Sequence, residues 1–483
     1  MSKDAFYLGR ESYSGELFWI PDSHRAVHSY VVGASGAGKS ELLLDWFMQD
    51  FVAGRGCCLI DPKGDLFQDV LAALATIPAK EWPAVARHVV IIDPSDEEWV
   101  VGFNPLQVLS NAPVTRQRHE VISAFRKVWR IDETRTPRME LVLRRALQVL
   151  MANGLTLVQM QRLLVDTAYR ESLVNRCTEE DVRTFWLKEF PKSETAQQQW
   201  VSSLLTRLET FLDDTNLQLM LGQRSSSFDF RRAMDEQKVV LINLSKGRLG
   251  QETSHLLGGF LLAKLQLAGE SRQDVWPPEA RLPFYVYVDE FQNYATDSFQ
   301  EMLAEARGYG VRLVMAHQNV SQLDESLRAS ILANARIRLA FRLSYDDSAT
   351  LARELFFVTG QRVKETRWQS ARIGKLAIPY PEPVYFSTGE EMRQNVEELH
   401  HLPDRVFWLN IAGRGVLTQL VTNPVPRLWS PEVGEAIRDF KALSAELGGY
   451  AVPRTLATPK VLALPAPAAE PVAKRLYEYQ GVQ

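Results

Sequence analysis

Cysteine is almost missing from this chain: three among 483 residues, Cys57, Cys58 and Cys177. Three cysteines exclude a disulfide framework, and the Cys57-Cys58 neighbours sit in an apolar run without the spacing of a zinc site. An excess of basic charge is missing too. Lys plus Arg number 55 against 59 Asp plus Glu, a net charge of −4, so a broad nucleic-acid coat is excluded and any such contact must be local. Long apolar runs are lacking: stretches such as Leu256 to Ala263 fall well short of the roughly 20 residues that span a bilayer. The polar start, Met1 to Gly15, has no signal-peptide pattern. Internal repeats are absent. These absences predict a reducing, cytoplasmic setting.

What is present reads as globular. With 46% hydrophobic and 24% charged residues the chain is ordinary for a folded protein, long enough for about two or three domains. Short buried-looking strands at Val27 to Val32, Cys57 to Ile60 and His88 to Ile92 alternate with helical stretches, which implies a mostly parallel sheet with right-handed crossovers. From about 107 to 235 apolar residues recur at three and four, as in Leu143, Ala146, Leu147 and Leu150, and the stretch reads as an all-helical insertion. Strands return at Val239 to Leu244, Phe284 to Val288, Val311 to Ala316 and Ile337 to Leu343. The expected organisation is an α/β domain split into residues 1–106 and 236–450, the helical insertion 107–235, and a Pro/Ala-rich tail at 451–483.

Gly33-Ala34-Ser35-Gly36-Ala37-Gly38-Lys39-Ser40 fits the pattern G-x-x-x-x-G-K-[ST] in full. Polyphosphate needs a concave row of backbone N–H groups, and small residues let the chain wrap closely around it. The helix that follows adds its positive end. In this pattern Lys39 neutralises the outer phosphates of ATP and the Ser40 hydroxyl ligates Mg²⁺. A second strand, Phe284 to Val288, runs into Asp289-Glu290. There Asp289 is placed to hold the metal through water and Glu290 to polarise the attacking water. Asp61, at the end of its own strand, is expected beside the phosphate loop.

Several motifs together resemble the HerA/FtsK superfamily, and most closely the TraD/TraG-type coupling ATPases of conjugation and type IV secretion. They are the phosphate loop, Asp61-Pro62-Lys63-Gly64-Asp65-Leu66, Gly102-Phe103-Asn104-Pro105-Leu106, Val288-Asp289-Glu290-Phe291, Ala304 to Gly310 and Ala316-His317-Gln318, in this order. The resemblance covers roughly residues 27–425. It implies a RecA-like P-loop core, a homo-oligomer (a hexamer), sequence-nonspecific DNA as the cargo, and either relaxase and membrane-channel components or a nuclease as partners. It makes Gln318 a γ-phosphate sensor and Arg307 a finger acting on the neighbouring subunit's site. Arg336, Arg338 and Arg342 are rival fingers, although alternation puts them on one face of what reads as an exposed edge. Where family members carry N-terminal membrane helices, this sequence has none, which implies a cytoplasmic protein that reaches the inner membrane only through a partner. Two other readings stay open: a cytosolic translocase feeding a nuclease in repair or phage defence, and a nucleotide-gated receptor recruiting protein cargo without pumping. For DNA contact the sequence offers Arg116 to Arg145, nine basic residues with Phe125 and Trp129 among them, and Gly222 to Arg232.

Overall fold

The computed structural model describes residues 5–110, 112–132, 134–373, 376–425 and 428–457. Of the tail expected at 451–483, residues 451–457 are described and hold a short strand, Ala451–Pro453, and a 3-10 turn, Arg454–Leu456; the remainder lies outside the described residues. The strands, in chain order, are Ala5–Glu11 (β1), Leu17–Pro21 (β2), His28–Val32 (β3), Gly56–Asp61 (β4), Val89–Ile92 (β5), Trp99–Val101 (β6), Val239–Asn243 (β7), Phe284–Asp289 (β8), Val311–His317 (β9), Ala335–Ala340 (β10), Val363–Ile373 (β11), Leu376–Tyr385 (β12), Val406–Ile411 (β13), Val416–Val421 (β14) and Ala451–Pro453 (β15). Two compact units result. One contains residues 5–101, 119–130 and 228–452, the other 102–118, 131–227 and 453–457.

The first unit is built on an 11-stranded sheet in the order β2-β1-β14-β13-β10-β3-β9-β8-β4-β7-β5. From β10 to β5 neighbouring strands pair in parallel. From β10 outward through β13, β14, β1 and β2 they pair antiparallel. Strands β3, β4, β5, β7 and β8 are buried along their whole length. That is why they read as unbroken apolar runs: helices cover both faces of such a sheet. Helix Lys39–Val52 packs Leu42, Leu43, Trp46 and Phe47 inward, and helix Gln251–Glu270 is buried along most of its length.

The second unit is helical, with helices at Pro137–Ala152, Gln159–Val165, Thr167–Val174, Glu194–Phe211 and Thr215–Leu221. Leu143, Leu147, Leu163, Leu204 and Leu208 form its core, each fully buried. Three helix starts are closed by side chains: Asp166 accepts from Tyr169 N, Ser193 from Ala196 N and Asp214 from Leu217 N. Among the described residues no helix is long and apolar enough to cross a membrane.

Two expectations are corrected here. Phe125 and Trp129 are 0% and 1% exposed, their rings 4.5 Å apart and Phe125 5.1 Å from Phe260, so neither can stack on a base. The strand β10 is no edge, since β13 pairs on one side and β3 on the other.

Candidate nucleotide-hydrolysis site

Parallel pairing brings the carboxyl ends of β3, β9, β8 and β4 side by side, and ligands of such sheets bind at that edge. In order along the edge stand the phosphate loop after β3, Gln318 after β9, Asp289 and Glu290 at the end of β8, and Asp61 at the end of β4. Strand spacing of about 4.8 Å makes this row roughly 14 Å long.

The loop is shaped by its glycines. Gly36 and Gly38 have φ of +75° and +110°, a region closed to most side chains. At Gly33 an added Cβ would lie 2.5 Å from Phe341 Cβ, and at Gly38 it would lie 2.9 Å from Arg405 Cα. The loop is pinned from outside: Gly33 N donates to His317 O (3.3 Å), Ala34 N to Arg342 O (2.8 Å), and Arg405 N to Ala37 O (2.8 Å). Ser35, Gly36 and Ser40 are exposed, whereas Ala37, Gly38 and Lys39 are buried. Lys39 Nζ donates to the loop carbonyls of Gly33 and of Ala34 (3.0 Å), so its ammonium lies inside the cradle. Burial lowers its pKa, and the nearby Asp289 carboxylate opposes that shift. An open rim at Ser35 and Gly36, a buried ammonium and an exposed hydroxyl at Ser40 fit a polyphosphate with a hard cation.

Opposite the loop, Glu290 takes a left-handed backbone (φ 48°, ψ 44°), a strained choice for a non-glycine residue of the kind that clusters at functional sites. Its side chain is a meeting point. Oε1 accepts from Gln318 Nε2 (2.6 Å) and Lys63 Nζ (2.9 Å), and Oε2 accepts from Gln292 Nε2 (2.9 Å). Burial alone would raise this carboxyl, yet the hydrogen bonds from Gln292, Lys63 and Gln318 hold it below its usual range. Asp289 behaves oppositely. Burial pushes it up to about 6 against the pull of Lys63, and its Oδ1 accepts from Glu290 N (3.0 Å) within the strand end. One carboxylate is thus kept charged and oriented, the other is deep and poorly solvated, and both face the same lysine.

The sequence-predicted residues distribute as follows. Gln318, Asp289 and Glu290 come together with the loop. Asp61 holds the turn that follows its strand: Oδ1 accepts from Lys63 N (2.8 Å) and Oδ2 from Phe67 N (2.9 Å). Arg307 is exposed on a short 3-10 turn at the start of β9, the opposite end of that strand from Gln318 and about 20 Å away at ~3.3 Å per residue. It cannot serve its own chain's loop. Among the rivals, Arg338 donates to the carbonyls of Ala335, Glu354 and Leu332, and Arg342 pairs with Asp404 (2.9 Å).

Three participants have contacts that the sequence does not show, although Lys63 and His317 stand within motifs quoted above. Lys63 and Gln292 are known as Glu290 partners only through the fold. His317 is fully buried, its Nε2 2.6 Å from Tyr30 OH, while its carbonyl holds Gly33. Burial drives its pKa down to about 3, so the ring is a neutral strut between β3 and β9.

Residues 283–395 match the family model described as the TraM recognition site of TraD and TraG. Over 390 residues the chain is 19% identical to the type 4 coupling protein DotL of Legionella pneumophila, covering 70% of this chain and 50% of DotL. It therefore spans about half the length of that curated relative. Among solved structures, the unbound bacterial conjugative coupling protein TrwBdeltaN70 matches with a TM-score of 0.57 at 16% identity, over 88% of this chain and 90% of that one. VirB4 of Thermoanaerobacter pseudethanolicus matches with a TM-score of 0.56 at 14% identity, over 88% and 97%. The RecA-like P-loop fold and the resemblance to TraD/TraG-type coupling ATPases are both borne out.

Proposed function

We propose that this chain is an ATP-hydrolysing motor that works as a closed ring and moves DNA, in the manner of the coupling ATPases of type IV secretion. The observation that carries the reading is the convergence of Gln318, Lys63 and Gln292 on Glu290, beside Asp289 and one strand away from a complete phosphate loop. Residues 33–40 cradle the triphosphate, with Lys39 turning from its own loop carbonyls to the phosphate oxygens. Ser40 and Asp289 hold Mg²⁺, which neutralises charge on the phosphates when bound. TrwB, a relative in fold, is described in complex with ADP and Mg²⁺, which supports the same pair of ligands here.

Glu290 is the base. Its carboxylate stays ionised, and the two glutamines at 292 and 318 aim it, so it orients a water toward the terminal phosphate. Gln318 touches Glu290 on one side and follows the strand beside the loop on the other, which suits a sensor of the terminal phosphate. Asp61 contributes by shaping the turn that presents Lys63 rather than by touching nucleotide. Arg307, remote from its own loop, acts on the site of the neighbouring copy, so the active form is a head-to-tail homo-oligomer, taken as a hexamer. Relaxase and channel components at the inner membrane are the partners this reading calls for, and the match of 283–395 to a TraM recognition region supports a docking role for that stretch.

The test is ATP hydrolysis by the purified chain with and without DNA. DNA stimulation is expected. Glu290→Gln should lower turnover by about 10²–10⁴ while nucleotide still binds. An unchanged rate in that variant sinks the assignment.

A further inference from the structure

The turn after β4 places a lysine between the two acids of the site, and neither the loop nor the strand motif accounts for it. Asp61 fixes the backbone of this turn through Lys63 N and Phe67 N. Gly64 follows with φ +88°, where an added Cβ would lie 3.1 Å from Asn243 Oδ1, so the main chain here has one conformation. The four-carbon arm of Lys63 is different: its side chain is 41% exposed and can swing. Its ammonium lies 2.9 Å from Glu290 Oε1 and 3.4 Å from Asp289 Oδ2. Those carboxylates are only 6% and 5% exposed. Two neighbouring buried carboxylates repel unless a cation sits between them. Asp61 and Lys39 add one charge of each sign nearby, and Lys246 acts on both acids from further off; Lys63 is the cation within hydrogen-bond distance of both.

Building on the ATPase reading, we propose that Lys63 is an exchangeable counter-cation: its ammonium and the divalent cation compete for Asp289, and metal arrival moves Lys63 onto Glu290 alone. The charge requirement is the reason. One monovalent arm satisfies both acids, but a second positive charge at Asp289 is repelled by an ammonium a few ångströms away, and each weakens the other reciprocally. The exchange couples metal loading to the orientation of the base. Lys63 is thus a positioning residue, held by its rigid turn and released along its flexible arm.

The experiment titrates Mg²⁺ against the full chain and follows the binding of a fluorescent ATP analogue, a readout independent of turnover. Lys63→Met is expected to lower the half-maximal Mg²⁺ concentration about tenfold, and Lys63→Arg to stay within about twofold of wild type. In an Asp289→Asn background Lys63→Met should shift nothing, because the contested oxygen has lost its charge. If Lys63→Met does not fold, Lys63→Gln, which can still donate to Glu290, carries the same expected shift. A midpoint within twofold of wild type in the neutral variants overturns the proposal, as does an equal shift in the Asp289→Asn background. Absence of analogue binding by the wild-type chain at any Mg²⁺ level would overturn the ATPase reading itself, whereas binding with an unmoved midpoint removes only the role of Lys63.

Discussion

Replacing Asp50 tests how the phosphate-loop helix is fastened to the strand that carries Asp289 and Glu290. Asp50 stands near the end of helix Lys39–Val52 and is 0% exposed. Its Oδ1 accepts from Arg25 Nη1 (2.5 Å) and Arg55 Nη1 (3.2 Å), and its Oδ2 from Arg25 Nη2 (2.9 Å) and the hydroxyl of Tyr287 on β8 (2.5 Å). Arg25, itself 3% exposed, lies over the rings of Phe6 (3.5 Å) and Tyr285 (4.0 Å). Burial works against its charge, yet Asp50 overcomes this and holds the guanidinium pKa above its ordinary value. Removing Asp50 leaves the buried Arg25 guanidinium with only the Asp22 carboxylate at 3.9 Å, which Arg55 also uses, so Asp50→Ala should cost about 3–5 kcal/mol. That is a large share of the ~5–15 kcal/mol that holds a folded domain together. Tyr287→Phe deletes one hydroxyl from an otherwise intact pair and should cost about 1–2 kcal/mol. Urea unfolding followed by fluorescence at low and 1 M salt measures both. Because the pair is out of solvent, salt should change neither loss appreciably. A loss under about 1 kcal/mol for Asp50→Ala, or one that salt erases, refutes the reasoning.

Other outcomes follow from single positions. His28 Nε2 lies 3.1 Å from Leu303 O while Nδ1 accepts Leu313 N (3.0 Å), and burial lowers its pKa from 6.5 to about 4. The folded state therefore binds fewer protons than the unfolded one in that window, and the contribution of His28 is complete above pH 6.5 and lost as pH falls toward 4. Wild type should lose about 2 kcal/mol more than His28→Gln between pH 7 and pH 5, read by urea unfolding at each pH. Gly38→Ala places a Cβ in the left-handed region against Arg405, and should cut nucleotide affinity at least about tenfold, measured by equilibrium binding. Arg307→Ala should bind nucleotide normally yet hydrolyse it about 10³-fold more slowly. Mixing it with Lys39→Ala, whose Arg307 is intact, should restore part of the rate; no recovery in the mixture would exclude an intersubunit finger.

How much of this was legible depended on whether the physics was local. The buried parallel strands were, because covering both faces forces continuous apolar runs such as Val286 to Val288, and turn residues end them. The phosphate loop was, because its glycines answer a steric need within eight residues. The antiparallel wing was not: β1, β2 and β14 mix buried with half-exposed residues and so lack a continuous apolar run, and Val406–Ile411 reads as well as part of a helix until its partners are known. Pairing on both sides of β10 is likewise a long-range fact, which is why its arginines looked like an edge. Amphipathic spacing marked Arg116 to Arg145 as helical, but only packing against Phe260 shows that Phe125 is consumed by the core. In the site, Asp61 and Lys63 take different parts. The acid at the strand end is turned into its own loop, and the lysine two residues later crosses to the acids of β8, 226 and 227 residues away.

If Arg307 acts on the neighbouring copy, as proposed, its placement gives a reason for a ring. A parallel sheet gathers everything that follows a strand at one edge and everything that precedes one at the other. Gln318 follows β9 and Arg307 precedes it, so no rearrangement that keeps β9 intact can bring both to the same phosphate. Six of its seven residues are buried, and pairing with β3 on one side and β8 on the other makes β9 costly to break. On the proposed reading, a single copy then holds a complete cradle, a base aimed by Gln292 and Gln318, and no means of stabilising the terminal phosphate from the far side. A second copy, facing the first head to tail, supplies it, and the same rule applied to that copy demands a third. Only closure ends the series, so on this reading the ring follows from strand direction rather than being an addition to the fold.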